Sequence, residues 1–292
     1  MTQEEIETYE SLESSPGEFD LSEKILISIK NIKYAKEKFK IWCDTLHFED
    51  TIDSLEEHVK SFKGSYQIIM NSKTLKKVLS YVLAIGNVLN GGTNKGQADG
   101  FTLDAISKLS TIKDNNGKTV LQLIASKIKQ EDEDFCSANI RKEFEICEEA
   151  IKIPLNETKI EVDKLIKITN EDYEIFDKIK ADDNFMRKIK TNILGNQERI
   201  KKLETLIIES INYAQKTISF YGYPKNDIKY KKPDDLISLV YEFSKELDKA
   251  IPTVEAKKAF KGTQPMGKKI TGPEKNAGLD VLLSGLKNKI AS

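Results

Sequence analysis

The stretch LAIGNVLNGGTNKGQADGFTLDAISKLSTIK, Leu83 to Lys113, breaks a helical sequence with a Gly-rich insert and then restarts it. Upstream, Leu79, Val82, Leu83 and Ile85 form an apolar helical stripe that runs into Gly86 and Asn87. Asn90, Gly91 and Gly92 follow where a helix should end, and Gly and Asn tolerate the left-handed backbone of such a stop. Gly96, Ala98 and Gly100 keep side chains small until Phe101, Leu103, Ile106 and Leu109 rebuild an apolar face. One reading is a tight interhelical loop. A phosphate cradle would need Gly-x-x-x-x-Gly-Lys-Ser/Thr, or Gly-x-Gly-x-x-Gly between strand and helix. Neither is present, and Lys95 precedes Gly96 instead of following it.

The chain around the insert reads as helix. Of 292 residues 39% are hydrophobic and 32% charged, which suits helices with solvated faces better than an α/β enzyme. Before Pro224 the only prolines are Pro16 and Pro154. Interior proline costs a helix about 3 kcal/mol, so long helices are unopposed here. From Asn184 to Tyr221 a heptad places Met186, Ile193, Ile200, Ile207 and Ala214 seven apart. Ile189 and Leu203 take the companion position, interrupted by Asn196 and Ser210. An earlier stripe, Val162, Leu165, Thr169, Tyr173, Phe176 and Ile179, has a similar pitch and is a plausible antiparallel partner. The intervening Ala181 to Asn184 supplies acids and an N-cap. Trp42, beside Ile41 and near Phe39 and Leu46, reads as a core residue.

Other chemistries find little support. Cys43, Cys136 and Cys147 have no C-x-x-C spacing, and His47 and His58 are not at i, i+4, so neither a metal nor a cofactor is expected. Reduced thiols suit a cytoplasmic protein. No run of 18 apolar residues suggests a membrane span. A net charge of −1, with 43 lysines to 3 arginines, gives no reason to expect nucleic acid. No nucleophile, base and oxyanion donor assemble at recognisable spacing, so an enzyme is not expected.

The pattern G-N-x-x-N-x-G-x-x-x-G-x-A-x-G-F-x-L is carried by Gly86, Asn87, Asn90, Gly92, Gly96, Ala98, Gly100, Phe101 and Leu103. It resembles the signature of the formin homology 2 domain. KLSTIKDNNGKTVLQLI, Lys108 to Ile124, resembles the segment that follows it in that family, with Val120-Leu121 where Leu-Leu is usual. Thr2 to Ser11, the basic helix and Phe-Glu turn after Gly17, and the Tyr-Gly turn and closing helix of Phe220 to Ala250 continue the likeness.

The resemblance implies an all-α fold: an elongated helical bundle with partial knob, a long antiparallel coiled-coil arm and post. It implies a domain over residues 1–255 without the N-terminal lasso, linker and first knob helices. The generic alternative for the arm is a helical hairpin. By the same resemblance, the insert residues Gly86, Asn87, Asn90, Gly92, Gly96, Gly100 and Phe101 shape the post that receives a second chain's lasso. Lys113, and Lys108 five residues before it, would meet an acidic surface of actin at the filament barbed end; the alternative is a pair of solvated lysines. The implied function is actin filament nucleation and elongation in the cytoplasm, incomplete without the lasso.

Residues 256–277 read as a flexible basic linker, and eight lysines against two acids lie between 256 and 292. Residues 278–290 then read as a short amphipathic helix with Leu279, Leu282, Leu283 and Leu286 on one side. Gly278, Leu279, Asp280, Leu282, Leu283 and Leu286 resemble the diaphanous autoregulatory core, with Leu279 where methionine is common. This implies a formin inhibitory domain as a partner in trans. Two rival functions stay open: a plain coiled-coil scaffold, and a regulatory decoy that binds another formin through the post or the leucine helix.

Overall fold

The computed structural model describes residues 20–29, 32–92, 97–114, 117–132, 135, 137–179, 183–223 and 232–251. The described elements are helices α1 (Leu21–Ile29), α2 (Ala35–Asn71), α3 (Lys73–Leu89), a 3-10 helix (Leu103–Lys108), α4 (Val120–Glu131), α5 (Ser137–Glu143), α6 (Glu145–Lys152), α7 (Leu155–Ile179), α8 (Asn184–Phe220) and α9 (Asp234–Ala250). Among the described residues the only β pairing is an isolated bridge between Lys113 and Thr119. The fold is all-α. The leucine-rich tail, 278–290, and its basic linker lie outside the described residues.

Contacts divide the chain into two compact units, residues 1–56 with 159–205, and residues 57–158 with 206–292. In the first, Ile41 of α2 packs with Ile179, Met186, Ile189 and Ile193, flanked by Ile175, Phe176 and Phe185. The heptad therefore buries its face as its spacing requires, Ile200 and Leu203 included. Asp183 caps α8, its Oδ1 accepting from the Met186 N–H at 2.8 Å. Lys38 donates to the same carboxylate, which these hydrogen bonds hold below its ordinary pKa.

Two details differ from the sequence pattern. Tyr173 is exposed, and the residue buried on that face of α7 is Asp172, which follows Leu165 by seven. The Lys40 ammonium reaches Asp172 at 3.1 Å and Asp44 at 2.8 Å, so a polar side chain occupies a position that hydrophobicity would not nominate. Trp42 is not a core residue. It is 45% exposed, as are Phe39 and Leu46 in good part, while its neighbour Ile41 is fully buried. Adjacent helical positions point about 100° apart, and the core takes Ile41.

The arm partner is also a trio rather than a pair, because α2 joins α7 and α8. The Arg199 guanidinium on α8 holds Glu49, Asp53 and Glu56 of α2 at 2.6 to 2.9 Å. Glu49, Asp53 and Glu56 follow at i, i+4 and i+7, the spacing that lines one helix face.

The second unit has the larger core. Phe62, Tyr66 and Ile69 of α2, Val78 of α3, Ile124 and Ile128 of α4, and Leu236, Val240 and Phe243 of α9 meet in it. Helix α9 packs against α4, α5, α6 and the 3-10 helix, and α3 packs against α4. Ser72 separates α2 from α3 by capping the latter, its Oγ accepting from the Leu75 N–H at 2.9 Å. Gly64 lets Ile146 of α6 close onto α2, since a Cβ there would sit 2.6 Å from the Ile146 Cδ1.

Candidate functional site: the pocket at the helix break

Helix α3 continues through Gly86 and Asn87 and ends at Asn90, whose N–H bonds to the Gly86 carbonyl at 3.0 Å. The stop thus falls at Asn90, where the run Asn90, Gly91 and Gly92 places it in the sequence. Asn90 has φ −90°, and the left-handed residue is Gly92 at φ +84°. A side chain at 92 would be strained there.

Asn87 does the remaining work of the turn. Its Nδ2 donates to the Ala98 carbonyl at 2.9 Å, and its Oδ1 accepts from the Ala98 N–H at 2.8 Å. One side-chain amide thereby pairs with both polar groups of a residue eleven positions away, as a strand neighbour would. This clamp brings the far arm of the insert back beside α3.

Between the arms lies a cavity of about 310 Å3. Val82, Gly86 and Asn87 of α3 with its cap Asn90 form one side, Ala98, Gly100 and Phe101 another, and Ala105, Lys108, Leu109 and Ile112 the third. Carbon built onto Gly86 or Gly100 would meet nothing within 4 Å, so at both positions the missing side chain leaves open space. Ile112 is 40% exposed, which puts apolar surface at the edge of this hollow. The hollow can take an apolar or aromatic side chain of modest size, with the Asn and Lys groups at hand for its polar end.

The 3-10 helix, which supplies Ala105 and Lys108 to the lining, is braced from elsewhere in the same unit. Tyr221 donates through its hydroxyl to the Ile69 carbonyl at 2.6 Å, Gly222 turns at φ +83°, and the buried Tyr223 hydroxyl accepts from the Asp104 N–H at 3.1 Å. Burial pushes the Tyr221 hydroxyl up to about 12. The corner Tyr-Gly-Tyr therefore ties the end of α8 to both α2 and the start of the 3-10 helix.

Lys108 and Lys113 are both exposed. Lys113 does not sit at a helix end. It lies in the bridge to Thr119, in a loop closed by the Asp114 N–H to the Lys118 carbonyl at 2.8 Å and by the Lys118 N–H to Asp114 Oδ1 at 2.7 Å. Thr119 then opens α4 with a capping box in which Gln122 answers its side chain. The Leu121 N–H bonds to Leu109 and the Val120 N–H to Ile112, so the lysine-bearing segment is fastened to α4 at its back.

A short stretch thus carries a hollow on one side and exposed ammonium groups beside it. The family model of the Formin Homology 2 Domain matches residues 1–248. The chain belongs to the formin homology 2 family.

Among its relatives, Formin-G of Dictyostelium discoideum is 24% identical over 259 residues, covering 87% of this chain and 24% of that protein. Formin-H of the same organism is 25% identical over 295 residues, covering 98% and 26%. Protein cappuccino of Drosophila melanogaster is 31% identical over 121 residues, covering 41% and 11%. The chain spans about a quarter of the length of the two Dictyostelium relatives.

Of the formin homology 2 signature residues, Gly86, Asn87, Asn90, Gly100 and Phe101 come together around the hollow. Gly92 lies just outside it as the turn residue, and Gly96 lies outside the described residues. Lys108 joins the lining and Lys113 stands on the loop beyond it. Ala105, Leu109 and Ile112 complete the wall at i, i+4 and i+7, a stripe visible in the sequence but indistinguishable there from ordinary core. The Asn87 clamp carries no local signal, since its partner is a backbone eleven residues on. Among the described residues no group of three His, Cys, Asp or Glu is placed to hold a metal ion, and no helix is long and apolar enough to cross a membrane.

Proposed function

We propose that the chain works in actin filament assembly as a non-enzymatic binding segment in the cytoplasm, at the actin cytoskeleton. The hollow bounded by Gly86, Asn87, Gly100 and Phe101 receives an apolar side chain from a second formin chain. The exposed Lys108 and Lys113 meet carboxylates on actin. Lysine on an exposed loop speeds encounter with an acidic partner by long-range attraction and adds modest affinity once bound. The observation that carries this reading is the shared segment: residues 105–113 line the hollow through Ala105, Leu109 and Ile112 and expose both lysines.

Co-sedimentation with actin filaments, and pyrene-actin assembly, test the lysines directly. Lys113→Asp is expected to weaken filament binding about tenfold, and the gap should widen as salt is lowered, because wild-type binding tightens with less screening and the variant's does so less. Equal binding by both proteins would overturn the assignment of Lys113. The tail pattern of Gly278, Leu279, Asp280, Leu282, Leu283 and Leu286 supports an inhibitory domain as a further partner, and deletion of residues 277–292 separates that contact from actin binding.

A further inference from the structure

Helix α2 carries a second apolar face that the actin reading does not use. Phe39, Trp42 and Leu46 follow at i, i+3 and i+7 and are 36%, 45% and 59% exposed. Phe39 stacks on Trp42 with ring centroids 6.2 Å apart, and Phe185 meets the indole edge-on. The stripe is therefore preformed, with the indole held from two sides. Three such side chains offer on the order of 300 Å2, the size of a functional patch on a typical monomer.

The charges beside the stripe say what fits it. Lys36, Cys43 and Asp50 lie seven apart along one flank, about 10.5 Å of helix between successive members, and all three are exposed. Cys43 stands at the midpoint. Phe39 and Leu46 are likewise placed almost evenly about the centre of the stripe. A second α2 laid antiparallel across it would set Lys36 opposite Asp50 at both ends, Phe39 against Leu46, and the two Cys43 residues side by side. A parallel copy would set like against like. The face is thus its own complement, as a two-fold interface requires.

We infer that this face of α2 pairs with a second copy of the chain, antiparallel and centred near Cys43. The area is well below the roughly 800 Å2 per partner of a stable interface, so the pairing is weak and concentration-dependent. It is separate from the hollow at Gly86, and it does not depend on actin binding.

Sedimentation equilibrium of the full chain across the micromolar range, under reducing conditions, tests it. A monomer–dimer equilibrium is expected, with Trp42, the single tryptophan, shifting its emission to the blue as concentration rises. Leu46→Glu should raise the dissociation constant about tenfold or more. Lys36→Glu and Asp50→Lys should each weaken pairing about threefold, and the double exchange should restore it. That rescue also shows that the variants fold. In a Cys136→Ser background a bis-maleimide should link copies through Cys43, and adding Cys43→Ser should abolish the product. A monomer at every concentration, a dimer indifferent to Leu46→Glu, a failed charge-exchange rescue, or a Trp42 emission already blue and unmoved by dilution would each overturn the inference. Failure of actin binding with these results intact would leave the pairing standing.

Discussion

Asn87 shows how much of the site rests on one side chain. Its amide makes two hydrogen bonds to Ala98, at 2.9 and 2.8 Å, and no other residue type of that size offers a donor and an acceptor together at that reach. Asn87→Leu keeps the bulk and removes both. The expected cost is about 1–2 kcal/mol, confined to the insert, because each net hydrogen bond contributes about 0.5–1.5 kcal/mol. Native-state hydrogen exchange should show faster exchange at the Ala98 amide and little change at Ile124 or Val240. Had the loss spread to those core amides, the clamp would be part of the global fold instead.

At the scale of elements, the long helices were legible in the sequence and their outer faces were not. The heptad of Met186, Ile193 and Ile200 is buried because spacing at 3.5 residues admits one seam only. Trp42 was legible only as a large apolar residue, and residue type does not say which of Ile41 and Trp42 the core takes. Asp172 was illegible for the opposite reason, since its burial depends on Lys40 arriving from a helix more than a hundred residues away. Burial raises the Asp172 carboxyl to about 6, against the opposing pull of Lys40. A carboxyl whose pKa is raised in the fold costs nothing while both states are protonated, below about pH 4. Its penalty grows as the unfolded chain ionises first, and is complete above about pH 6. Denaturant midpoints should therefore fall between pH 4 and pH 6 through this group. Asp172→Asn should flatten that part of the profile, while leaving Lys40 its Asp44 partner.

Across the whole molecule, the two units differ in how much they bury. The unit of residues 1–56 with 159–205 draws its buried apolar side chains from three long helices, among them Ile41 and Ile52 of α2, Val162 and Leu165 of α7, and Met186 and Leu203 of α8, whereas the other unit gathers a larger set from α2, α3, α4, α6 and α9. Opening free energy follows buried apolar contact. Amides of residues 160–178 are expected to exchange through smaller openings than those of 62–69 and 236–247, as mass-resolved hydrogen exchange would record. Uniform protection would contradict this. The family was legible because its motifs fall where the chain must turn and cap, at Gly92, Asn87 and Thr119. The hollow itself was not legible as a volume, because its wall residues Leu109 and Ile112 carry the same pattern as any packed helix.

The Tyr-Gly-Tyr corner bears on how the protein can be chemically marked. With the Tyr221 hydroxyl bound to Ile69 and the Tyr223 hydroxyl on Asp104, neither ring offers an oxygen ready for phosphate or sulfate. Tyr34 and Tyr173, each more than 40% exposed, stand open to such reagents. Among the described tyrosines, nitration by tetranitromethane would accordingly reach those outer rings first, and its arrival at Tyr223 would time the undoing of the corner.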